Sequence, residues 1–173
     1  MNLLDTKATL ENKGQDLLEK LYTKVGVKDN LKRYEDVLQG FVREFGEKDV
    51  KLFSSPGRTE ISGNHTDHNN GKVLGGSINL DCIAAAADNG SNIVNIVSES
   101  FSQKFSIDIN DTKPGAEKVG TTELLKGILA GFTEKNANIG GFDAYITSNV
   151  ISSAGVSSSA AFETLICQII NTL

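Results

Sequence analysis

The stretch SINLDCIAAAADNGSNIVNIVS, residues 77–98, decides how the rest of the chain is to be arranged. Its four consecutive alanines suit a helix. Its brevity, the Asn89-Gly90 pair that follows and the β-branched run after that suit two buried strands. We read SINLDCIAAAADN (77–89) as a strand and pair it with NIVNIVS (92–98) across Asn-Gly.

Outward from this pair, VKLFSS (50–55) alternates as a strand should and is expected to end at Pro56-Gly57. Asn69-Asn70-Gly71 gives a hairpin-type turn before residue 77. QKFSIDI (103–109) alternates as a half-exposed strand, and GFDAYITSNV (141–150) reads as another. Helical spacing runs through Leu10, Leu17, Leu18, Leu21 and Val25, with Gly26 as the expected stop. It resumes through Leu31, Tyr34, Val37, Leu38, Phe41, Val42 and Phe45 and closes at Gly46. TTELLKGILAGFTEK (121–135) reads as a helix capped by a preceding Thr or Asp, and GVSSSAAFETLICQIINTL (155–173) as a glycine-serine loop running into a helix. Two helices, clustered strands and returning helices predict an α+β fold, with a mostly antiparallel sheet packed by helices.

Composition narrows the partners. A net charge of −5 with scattered Lys and Arg argues against nucleic acid, which requires a concentrated basic face. A small anion needs only local positive potential. The two cysteines, Cys82 and Cys167, sit in apolar runs with no C-x-x-C spacing, as small buried hydrophobes of a reducing compartment do. The N-terminus turns polar after four residues, unlike a signal peptide, and no apolar run reaches the ~20 residues that span a bilayer. These features predict a cytoplasmic protein with no membrane partner.

Two segments carry chemistry. ISSAGVSSSAAFETL (151–165) has small residues that let backbone amides approach an anion, serine hydroxyls as donors, and a helix whose positive end faces the loop. It lacks the G-K-[ST] of a P-loop and the second glycine of G-x-S-x-G. A plain serine helix cap is the alternative. SSPGRTEISGNHTDHNNGKVLGG (54–76) gathers Arg58, Glu60, Asp67 and both histidines, His65 and His68. His65, Asp67 and His68 lack the helical spacing of a zinc pair, and the chain has no third histidine. Glycines at 57, 63 and 71 imply special backbone geometry. Arg beside Asp, His and Asn suits a pocket for phosphoryl oxygens and sugar hydroxyls.

Taken together, these segments resemble the first two motifs of the GHMP small-molecule kinases, and among them the galactokinases. Gly57, Arg58, Gly63, His65, Thr66, Asp67, Asn69, Gly71 and Val73-Leu74 fall on the pattern G-R-x-N-[LI]-I-G-E-H-x-D-Y-x-x-G and the apolar residues after it. Gly155-Val156-Ser157-Ser158-Ser159-Ala160 falls on P-x-G-G-G-L-S-S-S-A. The resemblance runs from about residue 34 to the end of the chain. It implies a GHMP-kinase N-terminal domain over 31–173, with a helical extension over 1–30. It implies ATP-dependent phosphorylation of galactose at its anomeric hydroxyl, with ATP and Mg²⁺ as cofactors. Arg58 would stabilise the transferred phosphate, and Asn64, His65 and Asp67 would bind sugar hydroxyls. Gly155, Val156, Ser157, Ser158 and Ser159 would cradle the ATP phosphates, with Ser158 near Mg²⁺. The family's later catalytic Asp and its C-terminal domain fall outside these residues, so the resemblance implies an inactive N-terminal piece of a longer chain. Glu60, Asn64 and His68 depart from the usual Asn, Glu and Tyr, while Ile151, Ser153 and Ala154 stand where a Pro and two glycines are usual. The departures leave two further readings: a GHMP kinase for another hexose, or a non-catalytic galactose and ATP sensor.

Overall fold

The computed structural model describes residues 3–12, 14–63, 66–100, 102–115, 119–151 and 155–173, with the backbone alone at 3–5, 7, 11 and 67. Helices α1 (Leu3–Asn12) and α2 (Gly14–Phe45) lead into strands β1 (Lys51–Ser62), β2 (Leu74–Asp88), β3 (Ile93–Ser98) and β4 (Gln103–Asp108). Helix α3 (Thr121–Glu134), strand β5 (Phe142–Ser148) and helix α4 (Ser158–Thr172) follow. The five strands form one sheet in the order β1-β2-β5-β3-β4, antiparallel except for the parallel pair β3–β5. The expected α+β architecture is therefore present, with helices on both faces.

The alanine run is a strand because both of its faces are buried. Cys82, Ala84 and Ala86 point into the core under α3 and α4, with Phe142, Ala144, Ile146, Leu165 and Ile169. Ile83, Ala85 and Ala87 point into a second core under α2, with Tyr34, Val37, Leu38 and Phe41. Period-2 alternation is invisible when both faces are apolar, and small side chains let helices approach from each side. On the α2 side, Gly40 lies against the Tyr145 ring so closely that a Cβ there would overlap it.

Three expectations are corrected. β2 does not pair with β3, because β5 is inserted between them. Gly141 makes the insertion possible: a Cβ on it would lie 2.5 Å from the Ile93 carbonyl oxygen, and its amide donates to the Ser91 carbonyl at 2.8 Å. β1 does not stop at Pro56-Gly57 but runs through them to Ser62, with a register shift between Pro56 and Arg58. β1 is an edge strand, where proline is tolerated, and the register shift beside Pro56 absorbs the irregularity. Gly26 does not end a helix. α2 continues through it because the stripe Leu18, Tyr22, Tyr34, Val37, Leu38, Phe41 is buried, which outweighs the ~1 kcal/mol propensity cost of one glycine. The discontinuity falls instead at Thr23 (φ 63, ψ 167).

Two buried carboxylates tie elements together. Asp143 on β5 accepts hydrogen bonds from Lys48, Asn89 and Asn95. Burial alone would raise its pKa, but those donors outweigh burial and hold the carboxyl below its usual value. Asp81 on β2 accepts from Arg33 Nη1 (2.9 Å), Ser54 Oγ (2.6 Å) and the Tyr22 hydroxyl.

Candidate active site

The branch point of the sheet builds the site. β5 accompanies β2 only over Cys82–Asp88. Below Cys82, β2 is paired with β1 alone, and the two form an arm reaching out to the loop at 63–73. Arg58 lies on this arm just past the bulge, opposite Ser77. Its amide donates to the Val156 carbonyl at 3.1 Å. Gly57 beside it has no room for a side chain: a Cβ would lie 2.8 Å from the Val156 oxygen and 3.0 Å from Val150 Cγ1. The two chemistry-bearing segments, nearly a hundred residues apart in sequence, thus meet backbone to backbone. Among the described residues, no hydrogen bond or ion pair engages the half-buried Arg58 guanidinium.

The glycines of the loop serve its closure. Gly63 (φ 119) has the Val73 Cα where a Cβ would be, at 2.6 Å. Gly71 presses on Thr66 and donates its amide to the Thr66 carbonyl at 2.7 Å, while the Thr66 hydroxyl donates to the Gly63 carbonyl at 2.7 Å. Asp67–Asn69 form a 3-10 turn and Asn70 takes φ 62, which completes the expected reversal. Asn64 and His65 lie outside the described residues, and Asp67 is placed by its backbone only.

The serine loop is not a plain helix cap. Ser157 sits at the N-cap of α4 with left-handed backbone (φ 61, ψ 52), and its side chain makes no capping hydrogen bond. Gly155 is left-handed as well (φ 73). A non-glycine residue in this region costs about 1–2 kcal/mol, and such outliers gather at ligand-holding turns. The first turn of α4 carries no acidic residue, so the helix's positive end is left unopposed.

Ser158 and Ser159 open onto a cleft of about 570 Å³, within the range of small-molecule sites. Phe105, Leu124, Ile146 and Phe162 give it apolar walls, and Ser98, Gln103, Thr121 and Ser148 give it polar points. Sequence reading missed these residues. They come one or two at a time from β3, β4, α3, β5 and α4, and no local spacing marks them as a set. Cys82 also lines the cleft, where burial pushes its thiol up to about 12; it presents neutral surface and no nucleophile. Among the described residues the cleft lining holds hydroxyls and no carboxylate, so a Mg²⁺ there would be held by phosphate oxygens and water, and the protein oxygens on offer are hydroxyls such as that of Ser158. The lining does not fit a cation that requires an all-protein cage.

Residues 39–88 match the galactokinase galactose-binding signature. The galactokinase of Clostridium tetani is 33% identical over 133 residues, covering 77% of this chain and 34% of that protein. That of Lacticaseibacillus casei is 35% identical over 140 residues, covering 80% and 36%. The chain is similar to the galactokinases in its signature and over most of its own length. The chain spans about a third of the length of those curated relatives. Its fold superposes on Lactococcus lactis galactokinase, solved in complex with galactose, with a TM-score of 0.69 at 27% identity, covering 78% of this chain and 36% of that one. Methanococcus jannaschii mevalonate kinase shares the fold at a TM-score of 0.58 and 14% identity, covering 71% and 40%.

Proposed function

We propose that this chain supplies the nucleotide and sugar walls of an ATP-dependent galactose kinase that forms galactose 1-phosphate. The observation that carries the reading is the Arg58 amide bonded to the Val156 carbonyl, which fixes the arginine beside the serine loop and its cleft. In this reading the cleft takes the nucleoside of ATP, and Gly155, Val156, Ser157, Ser158 and Ser159 hold its phosphates by amides, hydroxyls and the positive end of α4. Ser158 would offer Mg²⁺ one hydroxyl oxygen, and the ion would supply neutralising charge to the phosphates. Arg58 directs its charge at the transferred group, where phosphoryl transfer depends on positioning and electrostatics. Asn64, His65 and Asp67 hydrogen-bond sugar hydroxyls. Residues 31–173 are the domain and 1–30 an extension of it, in a cytoplasmic protein. Because the chain spans only about a third of the length of those relatives, binding is proposed for these residues alone and turnover for the whole protein.

The test is an assay for sugar 1-phosphate with Mg-ATP and a panel of hexoses, on this chain and on the protein that contains it. Galactose turnover by the containing protein is expected. Turnover of a different hexose would reassign the substrate, and ligand binding without any turnover would replace the kinase with a sensor.

A further inference from the structure

The buried Asp81 cluster lies outside the chemistry just described, yet it sits at the point where both motifs are anchored. The Asp81 side chain is 3% exposed and the Arg33 side chain 17%. Its carboxylate takes Arg33 Nη1, Ser54 Oγ and the Tyr22 hydroxyl, and Tyr22 in turn lies 3.1 Å from the Tyr34 hydroxyl. The carbonyl of the same residue accepts Arg33 Nη2 at 3.3 Å and the Asn149 amide at 3.0 Å. Along β2, Asp81 is the residue just past the last β5 pairing, and it is paired with Pro56 at the near side of the register shift between Pro56 and Arg58. Asn149 leads into Val150, which packs against Gly57. One residue thus borders both the Arg58 segment and the entry to the serine loop, and its side chain is gripped by α2. Tyr22 immediately precedes the strained Thr23, so the grip also holds an unfavourable backbone in place.

We propose that Asp81 is a positioning residue, which ties the helical segment carrying Tyr22 and Arg33 to the sheet branch point and so sets the placement of Arg58 and the serine loop. The N-terminal helices then act as part of the site's support. The consequence for ligand binding rests on the nucleotide reading above; the consequence for the backbone does not.

Amide hydrogen exchange on the ligand-free chain tests this, comparing wild type with Tyr22→Phe, which keeps the ring and removes the donor. The Asn149 and Arg58 amides are expected to exchange about tenfold faster in the variant, since each reports a bond at the branch point. The Gly141 and Ile109 amides, bonded to Ser91 and Asn92 at the far end of the sheet, are expected to stay within about twofold. Ser54→Ala, which removes a different donor to the same carboxylate, is expected to repeat the pattern. Unchanged Asn149 and Arg58 exchange, or a uniform rise that includes Gly141 and Ile109, would overturn the proposal. With Mg-ATP as probe, Tyr22→Phe is expected to raise Kd about three- to tenfold. Absence of saturable binding to wild type would overturn the nucleotide reading alone, because the exchange result stands without it.

Discussion

The amide of Arg58 is hydrogen-bonded to the carbonyl of Val156 at 3.1 Å, and this bond joins the two segments whose residue types suggested a site. An arginine on a strand and a serine loop on a helix have no reason to be neighbours in sequence. The edge strand β1 brings them together by running past its own proline to the foot of α4.

Gly57 is the tightest point of that junction. Gly57→Ala places a methyl 2.8 Å from the Val156 oxygen and 3.0 Å from Val150, so the loop must move away from the strand. A loss of about 1–3 kcal/mol in stability is expected from denaturant unfolding, with weakened Mg-ATP binding. Unchanged stability and affinity would show that the contact is slack.

Ser157 separates a capping role from a ligand role. A serine that caps its helix loses ~1 kcal/mol on replacement by alanine. Ser157 makes no such bond, so Ser157→Ala should change stability by less than about 0.5 kcal/mol. Thermal unfolding checks this, and a full capping loss would reinstate the plain helix cap.

Gly40 tests the packing of α2 on the sheet. Any Cβ at that position overlaps the Tyr145 ring, so Gly40→Ala should lower stability by about 1–3 kcal/mol, although alanine is the better helix former. A rise in Tm would refute this close approach.

Asp143 gives the chain an acid-sensitive contribution. Its pKa is lower in the folded state than in the unfolded chain, because the donors outweigh burial. Its stabilisation is therefore complete above the ordinary carboxylate pKa and fades as pH falls through the depressed value, below about pH 4. Asp143→Asn should be about 1–3 kcal/mol less stable than wild type at pH 6, and the gap should close in acid. A gap independent of pH between 2 and 6 would contradict the assignment.

Much of the fold was legible wherever one face is polar. The alternation in 103–109 and the apolar stripes of α3 and α4 mark their elements directly. The alanine strand was legible only through its brevity and flanking turn, since both faces are buried. Its partner was not legible at all: β5 comes from more than fifty residues downstream, and only the missing side chain of Gly141 hints that something must pass close by. Arg58 and the serine loop could be named from residue type and spacing. The cleft walls could not, because Phe105, Leu124 and Ile146 look like core residues until the topology leaves a gap between them. Asp81 hid in an apolar run, where one carboxylate signals a partner without saying which.

The most direct measurement is an NMR titration of the 173-residue chain with Mg-ATP, following backbone amides and aromatic side chains. A nucleotide site in the cleft beneath the serine loop predicts saturable shifts at Ser158, Ser159, Thr121 and Phe162. No saturable shift, or shifts confined to the apolar groove between α2 and β1 around Leu17 and Leu21, would contradict it.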